Sequence, residues 1–121
     1  VGGMGGNHAR SFKDIEGAQL VAVADVNAQT AQKVAQETGA KAFETAEDLI
    51  ANGDVEAIII ATPHFFHPPV AEFAAARGVH VLSEKPIAVT VSSADAMIAA
   101  CDKGGVMLGV MFQQRLEGVR V

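Results

Sequence analysis

Three groups of residues in this 121-residue chain have the types and spacing to do chemistry. The first is Gly2-Gly3-Met4-Gly5, which leads into a helical segment from about Gly5 to Phe12. In the G-x-G-x-x-G fingerprint the second glycine lets backbone approach a pyrophosphate and the third lets the helix pack closely on a strand. Gly2 and Gly5 have the spacing of those two glycines, which puts the first one position before Val1. A helix N-terminus supplies free N–H groups and partial positive charge, which suit a diphosphate. The plainer reading of the cluster is a flexible turn. The second group is Asp25, 20 residues beyond Gly5 at the end of an apolar run. A carboxylate there can accept both ribose hydroxyls of NAD and would repel a 2′-phosphate, and no Arg follows at Val26 or Asn27, so NAD is expected rather than NADP. Asp25 could equally cap the helix after it, and both roles can coexist.

The third group is Thr62-Pro63 together with Ser83-Glu84-Lys85-Pro86, each at the end of an apolar run. In an open α/β sheet ligands sit outside the carboxyl ends of the strands, so these residues point at one crevice. A Lys after a buried strand has an ammonium that is costly to desolvate, and a lowered pKa would fit it for proton transfer. The bland alternative is an exposed turn with a salt bridge from Glu84 to some neighbour.

The elements that must position these groups follow from the patterning. Runs rich in β-branched residues at Leu20 to Ala24, Ala57 to Ala61, Val79 to Leu82 and Val106 to Phe112 do not alternate with polar residues. Each reads as a strand buried on both faces of a parallel sheet. A short strand is expected near Ala40 to Phe43. Between them lie helical segments: Asn27 to about Thr38 with Gly39 as its stop, Ala46 to Asn52 capped by Thr45 and ended by Gly53, the Ala-rich stretch opened by Pro68-Pro69 and closed at Gly78, and a last helix capped by Ser92 or Ser93 and running to about Lys103. Strand and helix alternate throughout, which predicts an α/β doubly wound parallel sheet, Rossmann-like, with right-handed crossovers. One domain over residues 1–121 is expected, with its first strand missing.

Composition narrows the partners. Half the residues are hydrophobic and 19% charged, which excludes a disordered or low-complexity chain. The formal charge is −5 with no cluster of Lys or Arg, which argues against nucleic acid and anionic membrane as partners. No apolar run reaches the ~20 residues of a membrane-spanning helix, and no signal peptide is visible, so a cytoplasmic location is expected unless a leader preceded Val1. The single Cys101 reads as a small buried apolar residue, and no metal-ligand spacing exists.

Taken together, Gly2-Gly3-Met4-Gly5-Gly6-Asn7-His8, Asp25, Ala61-Thr62-Pro63 with His67, and Gly78-Val79-His80-Val81-Leu82-Ser83-Glu84-Lys85-Pro86 resemble the N-terminal NAD(P)-binding domain of the Gfo/Idh/MocA oxidoreductases. The resemblance covers essentially the whole chain, and Glu-Lys-Pro is its most specific element. It implies that Lys85 is catalytic, reaching the nicotinamide ribose and a reacting hydroxyl and assisting the proton during hydride exchange. It implies cofactor contacts from Gly2, Gly3, Met4, Gly5, Asp25, Thr62, Pro63, His67, Glu84 and Lys85, with a packing or capping role equally open for His67. It further implies a cis peptide before Pro86, a positional His8, a polar cluster at Gln113, Gln114 and Arg115, a sugar or polyol substrate, and a homo-oligomer in the full-length protein. His80 reads as a satisfied core histidine, and His64 as a loop residue.

Relatives of this kind carry the remaining catalytic Asp and His in a second, C-terminal domain, and neither is expected here. The chain therefore reads as the cofactor half of a dehydrogenase, inactive on its own. Absence of the central first strand would separate the strand ending at Asp25 from the one ending at Ala61. Two other roles fit the same pattern: an NAD-dependent glycoside hydrolase of this family, and a non-catalytic dinucleotide-binding regulator.

Overall fold

The computed structural model describes residues 3–52, 54–62 and 66–111. Its elements alternate in the expected order. Helix α1 (Gly3–Ser11) and a short 3-10 turn (Phe12–Asp14) precede β1 (Ala22–Ala24), α2 (Ala28–Thr38), β2 (Lys41–Phe43), α3 (Ala46–Asn52), β3 (Ala57–Ile60), α4 (His67–Ala76), β4 (His80–Ser83), α5 (Val91–Gly104) and β5 (Leu108–Val110). Every strand pair is parallel, so each strand reaches the next through a helical crossover.

Local chemistry sets most boundaries. The Asn27 side chain accepts from the N–H groups of Gln29 and Thr30 and starts α2, and Gly39 ends it at φ 78°, a left-handed conformation that favours glycine. Thr45 Oγ1 accepts from Asp48 N–H at 3.0 Å to start α3. Pro68 and Pro69 occupy the first turn of α4, where a missing N–H is harmless. The last helix departs from the expectation that Ser92 or Ser93 caps it. The cap is Thr90, in extended backbone, whose side chain accepts from Ser93 N–H at 3.1 Å. Gly53 lies outside the described residues.

The strands form two ladders, β2-β1 and β3-β4-β5, and β1 does not pair with β3. The separation expected for these two strands is present. A cavity of about 730 Å³ lies between them, lined by Leu20 to Ala24 on one side and Ala57 to Ala61 on the other. It explains a second departure from the sequence reading. The strands are not buried on both faces: Ile58, Ile60, Val81 and Ser83 are buried, while Ile59 and Leu82 are half-buried and line the cavity.

The larger core lies under β3-β4-β5, where Ile58, Ile60 and Val81 meet Ala71, Ala74 and Ala75 of α4 and Met97 and Cys101 of α5. A smaller core joins Ala9 of α1, Val23 of β1, and Val34 and Ala35 of α2. The alanines let α4 and α5 approach closely, to the point that a Cβ on Gly104 would stand 2.3 Å from the Ala75 carbonyl oxygen.

Two predictions follow from this core. Helix propensity alone would have Gly104→Ala stabilise by about 0.5–1 kcal/mol. The backbone contact reverses the sign, and a net loss of about 1–3 kcal/mol is expected in urea denaturation. Burial raises the pKa of the Cys101 thiol, with the neighbouring Asp102 carboxylate adding to it. Cys101 is 1% exposed. A disulfide reagent should therefore find no reactive thiol in the native protein and one per chain in denaturant.

Candidate functional site

Within each ladder the strands run parallel, so their carboxyl ends share one edge, and the His8–Glu84 contact brings α1 to the end of β4. Helix α1 starts at Gly3, two residues before the expected Gly5, so Gly5 lies buried inside its first turn. That first turn carries no acidic side chain, which leaves its N–H groups and partial positive charge available to an anion. Gly2 falls outside the described residues.

Asp25 follows β1 directly. Its Oδ1 accepts from Asn27 N–H at 2.8 Å, and Asn27 in turn accepts from Gln29 N–H at 3.1 Å and Thr30 N–H at 3.2 Å. The cap of α2 is therefore Asn27, while Asp25 fixes the turn that presents it. Between the two roles weighed for Asp25, capping belongs to its neighbour.

The ends of β3 and β4 are tied together by His67, the first residue of α4. Its ring is 1% exposed. Nε2 lies 2.7 Å from the Thr62 carbonyl oxygen, and Nδ1 lies 3.1 Å from both the Pro86 carbonyl oxygen and Ser83 Oγ. Ser83 Oγ also donates to the Glu84 carbonyl at 3.1 Å. Both ring nitrogens of His67 are thus engaged inside the protein, as the packing role weighed for it requires. Thr62 itself is exposed at the edge; Pro63 and His64 lie outside the described residues.

Glu84 is buried, not the exposed turn residue of the bland reading, and its carboxylate pairs with the His8 ring of α1. Its N–H continues the ladder by donating to the Ile60 carbonyl at 2.9 Å. His8 and Glu84 are 76 residues apart in sequence, and their contact joins the glycine-rich helix to the end of β4. Sequence reasoning singled out each residue and missed the pair, since nothing local links them. Lys85 stands exposed between Glu84 and Pro86, so the burial expected to desolvate its ammonium is absent. The Lys85–Pro86 peptide is cis. His80, expected in the core, is exposed, and its Nδ1 accepts from Met107 N–H at 2.9 Å. Among the described residues no group of His, Cys, Asp or Glu could hold a metal, and no helix is long and apolar enough to cross a membrane. Gln113, Gln114 and Arg115 lie outside them.

The family model for Gfo/Idh/MocA oxidoreductases, NAD-binding Rossmann fold, matches residues 1–112. The chain belongs to the Gfo/Idh/MocA family. It is 38% identical over 119 residues to an inositol 2-dehydrogenase from Rubrobacter xylanophilus, covering 97% of this chain and 34% of that protein. The WlbA dehydrogenase from Bordetella pertussis, solved with NADH and UDP-GlcNAcA, superposes with a TM-score of 0.91 at 36% identity, over 97% of this chain and 35% of that one. A scyllo-inositol dehydrogenase from Lactobacillus casei, solved with NAD(H) and scyllo-inositol, gives 0.91 at 27% identity, over 97% and 35%. The chain thus spans about a third of the length of these Gfo/Idh/MocA relatives.

Proposed function

We propose that this Gfo/Idh/MocA chain binds NAD(H) along the carboxyl edge of its strands and contributes Lys85 to hydride exchange with a secondary alcohol of a sugar, cyclitol or related polyol. The observation that supports the reading is that Asp25, Thr62 and Lys85 each lie just past the carboxyl end of a parallel strand, with His8 and Glu84 tying α1 to the residue before Lys85.

The residues fit the group. N–H groups at Gly3, Met4 and Gly5 would face the diphosphate, the Asp25 carboxylate the ribose hydroxyls, and Thr62 the groove wall. Bound there, a nicotinamide would supply the acceptor for the hydride leaving the carbinol carbon. Lys85, exposed at the same edge, hydrogen-bonds the reacting hydroxyl and relays the proton that the alcohol loses as it becomes a ketone. Glu84, expected as a cofactor contact, also pairs with His8 and so holds the glycine-rich helix. The names of the relatives support an inositol or sugar-nucleotide class of substrate and a nicotinamide cofactor.

Calorimetric titration with NAD and NADP tests the cofactor. Binding of NAD that weakens in Asp25→Ala, with the preference over NADP narrowed, is the expected outcome; no NAD binding by the intact protein would sink the reading. For chemistry, NADH formation should be followed with myo-inositol, scyllo-inositol and UDP-N-acetylglucosamine. Lys85→Ala should lower kcat by about 10²–10⁴-fold and leave the NAD Kd nearly unchanged. Sugar release without net NADH would favour the hydrolase instead, and NAD binding with no turnover the regulator.

A further inference from the structure

Lys85 has no burial to hold it, yet a proton-relay group must sit within hydrogen-bond reach of the hydroxyl it serves. What fixes it must act through its neighbours in the chain. On one side Ser83 is fully buried and Glu84 is 8% exposed. On the other, the Pro86 carbonyl oxygen lies 3.1 Å from His67 Nδ1. His67 is thus the one described side chain bonded both to the strand end before Lys85, through Ser83 Oγ, and to the residue after it. Its other nitrogen holds the Thr62 carbonyl, at the end of the adjacent strand.

We propose that His67 is a positioning residue for Lys85: its ring sets the height and direction of the Ser83-to-Pro86 turn against the Thr62 loop without touching cofactor or substrate. The proposal rests on the reading of Lys85 as the proton-relay group. Three features set this ring apart from an ordinary packed side chain. It is the largest fully buried polar side chain among the described residues, and its partners are carbonyls and a hydroxyl rather than water. All three partners lie at or just past the ends of β3 and β4, the strands that lead to Thr62 and Lys85, so its loss would move the lysine more than the core. The ends of the imidazole also do separate work, Nδ1 toward the Lys85 turn and Nε2 toward Thr62.

That division gives the test. In the intact protein His67→Asn places an amide near the Nδ1 position, His67→Gln places one near the Nε2 position, and His67→Phe keeps the ring volume but neither bond. The polyol panel above supplies kcat, calorimetry the NAD Kd, and the Cε resonance of 13C-labelled Lys85, assigned by its loss in Lys85→Arg, reports the turn. His67→Phe should lower kcat at least tenfold, shift the Lys85 resonance and leave the NAD Kd within about threefold, with His67→Asn restoring both signals better than His67→Gln. A purely structural role would move all three variants in step with their melting temperatures. That result, or an unmoved Lys85 resonance in folded His67→Phe, would overturn the proposal. So would a tenfold weaker NAD Kd with kcat intact, which would return His67 to the cofactor. If the wild type turns over no polyol, the functional reading fails, and the resonance still decides the His67 link.

Discussion

Parallel pairing is the constraint on which the rest of this molecule depends. Two parallel strands cannot be joined by a tight turn, so a helix must carry the chain back, and every strand then delivers its last residue to the same edge. Thr62 and Lys85 follow paired strands and so lie at the same end of their ladder for that reason, not through local attraction. The helices that make the crossovers are stabilised chiefly by what they bury, and α4 and α5 show how. Short side chains at Ala71, Ala74, Ala75 and Gly104 bring the two backbones close, and Met97 and Cys101 fill the space against β3 and β4.

At the edge the sheet ends in loops, and loops have no ladder to hold them. Their polar groups are satisfied by side chains instead. His67 stands between the Thr62 and Pro86 carbonyls, Ser83 donates to the Glu84 carbonyl, Asp25 accepts from Asn27, and Asn27 accepts from the first turn of α2. Among the described residues no buried side-chain nitrogen or oxygen lacks a partner. Burying polar groups is tolerable only on that condition, and fully satisfied networks are rigid. An edge assembled from such ties can hold its shape before any ligand arrives.

Much of this was legible in the sequence because it is local. The alternation of elements, the start of a helix at Asn27, the Thr45 cap, the Gly39 stop and the proline pair at the start of α4 each depend on a few adjacent residues. The misreadings share a cause as well. Thr90 lost to Ser92 and Ser93 because all three are good caps and only backbone conformation decides among them. His80 looked buried because β4 is apolar, yet alternation along the strand turns it away from the face that buries Val79 and Val81. The His8–Glu84 pair and the three-way bonding of His67 span long stretches of chain, and no spacing rule reaches that far. The exposure of Lys85 was hidden for the same reason: burial belongs to the assembled edge, not to the strand that leads into it.

The pairing of His8 with Glu84 has a mechanical meaning. His8 belongs to the helix that shares a core with β1 and α2, and Glu84 follows β4 in the other core, so one side-chain contact joins two separately packed groups of elements. A ligand held by both groups would reinforce that joint, since anything that binds only the joined arrangement stabilises it by mass action. Such a ligand would act as a brace as well as a guest in a groove.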